Sequence, residues 1–242
     1  MCAQLYADRV NQEINRTSKP RCFIGSYDDS PSEEHFISQY RNLLHHYYHQ
    51  LGAKSTFTFW GACGVIHRDI FNDAGGFNEK YTKASIEDVE FGYRLRDLGY
   101  DISLRKDIQV KHLKKWDLAL LLKTDYFNRA KPWTLLLRQT KVLPKALNFR
   151  WVDRVSVVIC CALLLMLLPV FLGAWSVLLL PLMMTVFLVN NLRVYRFFAE
   201  KKGGWFAFKA IPFHFAYFLI CGLGYSVGST EFLIKSTLSI QS

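Results

Sequence analysis

The stretch from Ile86 to Tyr100, IEDVEFGYRLRDLGY, says most about the fold of this 242-residue chain. Two adjacent carboxylates, Glu87 and Asp88, open a segment in which apolar residues recur at helical spacing and charged residues lie mostly off that face. Acidic residues are favoured at a helix N-terminus, because the unpaired backbone N–H groups there point outward. Taken alone, the pair is therefore interpreted as the capped start of an amphipathic helix.

The segments on either side of this helix extend that interpretation. FWGACGVIHRDIFNDAGGFNEKY precedes it at residues 59–81, and ISLRKDIQVKHLKKW follows it at residues 102–116. The ordered set resembles the C-terminal half of the catalytic domain of family 2 glycosyltransferases of the GT-A fold, above all their membrane-attached members, over about residues 23–133. The resemblance implies an α/β fold: a partial GT-A-like (Rossmann-like) domain at residues 1–140, followed by transmembrane helices at residues 141–242.

The local patterns predict the elements of the first domain. A helix over residues 32–50 is expected to be capped by Ser32, and Gly75-Gly76 is expected to end a short helix. The later strand is expected to bend near residues 105–107. Strands are predicted at residues 22–26 and 101–110, and shorter helices at residues 69–74 and about 87–98. Residues 56–66 are predicted as a strand and loop rich in small residues.

The resemblance gives the acidic pair a chemical role. It implies an inverting, hexosyltransferase-like enzyme that uses a nucleotide-sugar donor, and such an enzyme needs a base for the proton of the acceptor hydroxyl. The family places this base at the aspartate of the pair, which is Asp88 here. Glu87 would orient the base or the acceptor. The alternative is a pair that only caps the helix.

The same resemblance proposes residues that bind substrate. The family lines its donor-sugar and acceptor pocket with the loop that corresponds to Trp60, Gly61, Ala62 and Cys63, where small side chains let a sugar approach the backbone. The alternative for this loop is a tightly packed core strand.

The segment His-Leu-Lys-Lys-Trp is the candidate diphosphate side. His112 can ligate a divalent metal or bond a phosphate, Lys114 can offset phosphate charge, and Trp116 can stack on a ring. The alternative is a basic turn that meets lipid headgroups.

A divalent cation, Mg²⁺ or Mn²⁺, is implied by the family, with ligands that we expect to lie outside this chain. The adjacent acids Asp28 and Asp29 belong to a turn-rich segment and are not taken as metal ligands. The histidines His45, His46 and His49 are interpreted as a half-buried polar cluster rather than a zinc site, because no third ligand is evident.

The C-terminal part of the chain is apolar in long runs. No charged residue occurs from Val155 to Leu192, which suits two transmembrane helices at about residues 155–172 and 174–190. A third is predicted at residues 210–230, with an interfacial segment at residues 192–209. Basic residues flank these runs and predict a multi-pass protein of the cell inner (plasma) membrane, whose catalytic portion is cytoplasmic.

Charge and cysteine content argue against several other classes of protein. The net charge is +10 with a pI near 9.3, but the cations border apolar runs and no nucleic-acid motif accompanies them, so no nucleic-acid partner is expected. The six cysteines form no CxxC pair, which argues against a zinc ribbon or a disulfide framework.

One part of the family pattern is missing from the sequence: no early βαβ unit appears, and no apolar strand ends in Asp-x-Asp. We therefore expect the nucleotide-binding half to lie outside these residues, and the partners to be that N-terminal half, a nucleotide-sugar donor, a lipid or glycan acceptor and the membrane. The alternatives are a non-catalytic membrane subunit and an inactive remnant of such an enzyme.

Overall fold

The computed structural model describes residues 8, 10–12, 22–140, 150–166 and 174–240. The chain forms two compact units, and the division falls after Asp117 rather than near residue 140. The segment that was assigned to the end of the catalytic domain therefore belongs to the second unit.

The first unit is built on a mixed four-stranded sheet with the order β2-β4-β1-β3. The central strand β1 runs parallel to β4 and antiparallel to the short β3, while β2 pairs antiparallel with the other edge of β4. This mixed sheet with its helices confirms the α/β class. The strands are β1 (Cys22–Tyr27), β2 (Ser55–Thr56), β3 (Gly64–Ile66) and β4 (Ile102–Val110).

The bend predicted in the later strand is present. Ile24 of β1 faces Leu104 of β4, but Ser26, only two residues further, faces Gln109. The intervening part of β4 therefore bulges out of register with β1, and Arg105 and Asp107 form an ion pair there at 3.0 Å. The bulge lets Tyr27 pair with Val110 at the end of the strand.

Three helices cover this sheet: α1 (Phe36–Leu51), α2 (Arg68–Asp73) and α3 (Glu87–Asp97). Phe91 and Leu95 of α3 are fully buried in one core cluster with Ile24. Full burial of such a side chain contributes about 1.5–3 kcal/mol.

The predicted start of α1 was wrong. Ser32 does not cap the helix, which begins at Phe36, four residues later. Instead the backbone N–H and the hydroxyl of Ser32 both donate to the carbonyl oxygen of His112, at 3.3 and 3.2 Å. These bonds hold Ser32, four residues before α1, against His112, two residues after β4.

The second unit is helical: α4 (Leu118–Lys123), a π-helical segment (Thr124–Ala130), α5 (Lys131–Thr140), α6 (Trp151–Met166), α7 (Ala174–Asn190), α8 (Leu192–Lys202) and α9 (Gly204–Ile240). Pro132 does not interrupt the run of helices from the π-helical segment into α5. It lies in the first turn of α5, where a missing N–H costs little.

Glycines let other helices approach α9 closely. A Cβ on Gly222 would lie 2.6 Å from the sulfur of Cys161, and one on Gly224 would lie 2.5 Å from Ala130. Small residues commonly allow such close helix packing in apolar helices. Next to them, Lys131 and Glu231 form an ion pair at 2.7 Å.

Within the described part of the chain, one helix, Gly204–Leu238, is long and apolar enough to cross a membrane. Taken together, the segments Leu178–Asn190 and Leu192–Lys202 are also long and apolar enough, but they are bent by 63° relative to each other. The long helix begins at Gly204 rather than at residue 210, because Gly203, with φ +85°, ends the preceding helix. The predicted span 155–172 extends at residues 167–172 outside the described part of the chain.

Candidate active site

The site is centred on Asp88 in the first turn of α3. Its Oδ2 accepts a hydrogen bond from the backbone N–H of Gly61 at 3.1 Å, and its Oδ1 accepts one from the N–H of Val89 at 2.8 Å. Gly61 begins a short 3-10 turn, Gly61–Cys63, and is exposed together with Ala62. The two elements predicted as base and substrate loop are therefore in direct contact, and the half-buried carboxylate is accessible beside the loop.

Gly92 explains how the helix reaches this loop. A Cβ on Gly92 would lie 2.3 Å from the backbone nitrogen of Phe59 and 2.7 Å from the carbonyl oxygen of Phe57. A glycine is thus needed for α3 to lie directly on the chain that leads into Trp60. Gly92 was not predicted, although a glycine inside a helical pattern often marks such an approach.

The Gly-Gly-Phe turn is fastened to the same helix by Arg94. Its guanidinium donates to the carbonyl oxygen of Ala74, to that of Gly76 at 2.7 Å and to the carboxylate of Glu90 at 2.8 Å. Gly75, at φ +73°, and Gly76, at φ +67°, have the left-handed backbone that ends α2, as predicted. Arg94 was missed because its carbonyl partners lie about twenty residues away.

Glu87 shapes the loop that enters α3. Its Oε2 accepts the backbone N–H of Ser85 at 2.7 Å. Nearby, burial raises the pKa of Tyr81 above its usual value, and the charges of Glu90 and Glu87 raise it further, so its hydroxyl stays protonated at neutral pH. Glu87 therefore holds the backbone of the loop that precedes Asp88. Its contact with an acceptor stays a prediction.

An aromatic cluster joins the loop to the diphosphate side. The ring of Tyr27 makes edge contacts with Trp60, at a centroid distance of 4.4 Å, and with His112 at 4.3 Å. His112 in turn stacks near Trp116 at 6.3 Å, and the ammonium of Lys114 lies 4.0 Å from the centroid of the Trp116 ring. The structure thus brings together the residues that were predicted from two distant segments, and Tyr27, which joins them, was not predicted.

Two predicted substrate-binding side chains are buried. Cys63 is 4% exposed and packs with its sulfur against the backbone of Gly25, and Trp116 is 3% exposed. The backbone N–H of Trp116 donates to the hydroxyl of Ser38 at 2.8 Å. We therefore expect Cys63 and Trp116 to shape the pocket from behind, with Gly61, Ala62 and Lys114 at its surface.

The described residues do not form a metal centre: within them no group of three or more His, Cys, Asp or Glu side chains could hold an ion. The ring of His112 lies among aromatic rings. Asp28 accepts the backbone N–H of Ser30 at 3.1 Å, which is a turn contact. These residues do not fit the divalent cation, so no step is assigned to it. Of the α1 histidines, His46 and His49 are buried polar side chains.

The family model for glycosyl transferase family group 2 matches residues 22–192. The matched part covers the whole sheet, the Asp88 helix and the aromatic cluster. Comparison with curated proteins and with solved structures finds no match. The chain belongs to the family 2 glycosyltransferases, which confirms the family seen in the sequence. The likeness to membrane-attached members and to the C-terminal half alone stays a prediction.

Proposed function

We propose that this chain takes part in an inverting transfer of a hexose from a nucleotide-sugar donor to a hydroxyl of a membrane-associated lipid or glycan, with Asp88 as general base. The observation that supports this is the Asp88 carboxylate at the N-terminus of α3, held by the N–H of Gly61 beside an exposed loop of small residues. A helix N-terminus and backbone donors stabilise negative charge at that position.

The transfer is a single displacement at the anomeric carbon. The acceptor O–H gives its proton to Asp88 as its oxygen forms the new bond to C1. The bond between C1 and the phosphate oxygen breaks on the opposite face, and the nucleoside diphosphate leaves with the electron pair. Each Asp88 oxygen accepts one backbone N–H, and these two bonds hold the carboxylate that would take the proton at the start of α3.

The aromatic cluster would place the leaving group. His112 can donate a hydrogen bond to the diphosphate, and the exposed Lys114 ammonium can offset the charge that develops there. The Trp116 ring beneath Lys114 limits the directions in which that ammonium points. A divalent cation and a nucleotide-binding half stay predictions.

The membrane assignment rests on the apolar helix Gly204–Leu238 and on the basic flanks. We propose a multi-pass protein of the plasma membrane with its catalytic unit in the cytoplasm. Single cysteines introduced at Lys201 and Ser239, in a background without reactive thiols, should be labelled from opposite sides. Labelling of both from one side would rule out the outward crossing.

Sugar incorporation tests the function itself. Membranes from cells that express the chain with its flanking genes should transfer radiolabel from one of a panel of nucleotide sugars into a lipid or glycan fraction. Membranes that carry Asp88→Asn should not. Equal incorporation without the chain, or with that variant, would favour a non-catalytic subunit or an inactive remnant.

A further inference from the structure

Tyr27 lies where the two sides of the site meet. It is the last residue of β1 and pairs with Val110 at the end of β4. Its ring makes near-perpendicular contact with Trp60, at an interplanar angle of 86°, and a tilted edge contact with His112 at 67°. Trp60 immediately precedes the Gly61 N–H that holds Asp88. Tyr27 thus links the loop at the base to the histidine on the diphosphate side.

The backbone at Tyr27 is held by the polar face of α1. A ring nitrogen of His46 lies 2.7 Å from the carbonyl oxygen of Tyr27, and the amide of Asn42 donates to the carbonyl oxygen of Asp28 at 3.0 Å. One turn earlier, the amide of Gln39 donates to the carbonyl oxygen of Glu33. The spacing of 39, 42 and 46 places these side chains on one face of the helix.

These buried polar side chains have a clear structural task. Backbone carbonyls that leave a sheet need partners when they are buried, and helix side chains supply them here. His46 is buried and faces the carbonyl of the residue whose ring joins Trp60 and His112. The position of Tyr27 is therefore restrained at its backbone by His46 and at its ring by Trp60 and His112, with His45 at a longer centroid distance of 5.9 Å.

We propose that Tyr27, held by His46, is a positioning residue for sugar transfer: it sets Trp60 and the Gly61 loop relative to His112. This inference rests on the proposed function. Its physical basis is that a displacement of about 1 Å of reacting groups can cost about 100-fold in rate. The ring contacts, not the hydroxyl, carry this role.

The test is steady-state transfer by Tyr27→Leu and Tyr27→Phe in the membrane assay. Tyr27→Leu should lower kcat by about 10- to 100-fold while the KM for the donor changes by less than about threefold. Tyr27→Phe keeps the ring and should stay within about threefold of the wild-type kcat. A phenylalanine variant no better than the leucine variant would overturn the proposal.

A matched control separates positioning from folding. Tyr40→Leu removes a buried ring of α1 that stacks on Phe36, and it should lower Tm at least as much as Tyr27→Leu with a smaller loss of kcat. An equal loss of kcat in both variants would show that Tyr27 is merely structural. If Tyr27→Leu does not fold, His46→Leu should lower kcat by about tenfold and His46→Gln, which keeps an N–H donor, by less. Equal kcat in the two His46 variants would also overturn the proposal.

Asp88→Asn in the same assay distinguishes the two proposals. Loss of activity in Asp88→Asn with normal kcat in a folded Tyr27→Leu would refute the positioning role alone. Normal activity in Asp88→Asn would refute the base assignment on which the positioning role rests.

Discussion

Two sides of the site are held by different kinds of contact. We call Asp88 with the Gly61 loop the base side, and Tyr27 with His112 the aromatic side. On the base side the contacts are made by main-chain atoms: the Gly61 N–H donates to Asp88, and Gly92 lies against the backbone of Phe59. On the aromatic side the contacts are made by side chains, as between the rings of Tyr27 and His112. The base side should therefore be disturbed most by added atoms, and the aromatic side by lost ones.

The largest expected effect on stability is at Gly92. In Gly92→Ala the new methyl group would lie 2.3 Å from a backbone nitrogen and 2.7 Å from a carbonyl oxygen, and neither atom can turn away. We expect a loss of about 3 kcal/mol in the free energy of unfolding, at the upper end for overpacking. Denaturant unfolding of the detergent-solubilised protein would measure it.

Gly61→Ala is the matched control for this substitution. Its methyl group would lie 3.6 Å from Asp88 Oδ2, which is ordinary contact, in a loop that is exposed. We expect a change within about 0.5 kcal/mol. Similar losses in the free energy of unfolding for the two alanine variants would contradict this account, because close backbone approach would then not distinguish Gly92 from Gly61.

A smaller effect is expected at Arg94, which fastens the Gly-Gly-Phe turn to the base helix. Arg94→Ala leaves the carbonyl of Gly76 and the carboxylate of Glu90 without their donor, so we expect a loss of about 2 kcal/mol. Arg105→Ala removes a surface pair with Asp107 and should cost less than about 1 kcal/mol. Thermal unfolding of both variants checks the difference, and equal shifts in Tm would contradict it.

The smallest effect concerns the thiol of Cys22, the first residue of β1. Burial raises the pKa of Cys22 to about 12, and the charge of Asp101 adds to this. Because the thiol stays protonated below that value, only about one molecule in 10⁴ carries the thiolate at pH 8. A maleimide should therefore label Cys22 in denaturant and not in the folded protein, as read by mass spectrometry. Rapid labelling of the folded protein would show that the sheet opens.

Local patterns predicted much of the first unit. Strands β1 and β4 and helix α3 were expected near their observed bounds, because alternation, helical spacing and glycine ends are properties of short segments. The contact between Gly61 and Asp88 was anticipated only through the family resemblance. The Tyr27 contacts could not be anticipated, since they depend on the parallel pairing of β1 with β4.

The second unit shows why its boundary was missed. The segment from residue 118 to 140 is polar enough to suit either unit. Its placement is decided by contacts with residues about ninety positions later, such as the hydrogen bonds from Arg138 to Ser229 and Tyr225. No periodicity within a short window reports such a partner.

The central claim is that Asp88 takes the acceptor proton, and its most direct test is single-turnover transfer by Asp88→Asn. We expect the chemical step to slow by about 10²- to 10⁴-fold, the usual range for a lost general base, with little change in donor affinity. Asp69→Asn, an exposed acid in the first turn of α2, is the control and should transfer at the wild-type rate. Near-normal turnover by Asp88→Asn, in a protein that folds and binds donor, would contradict the account.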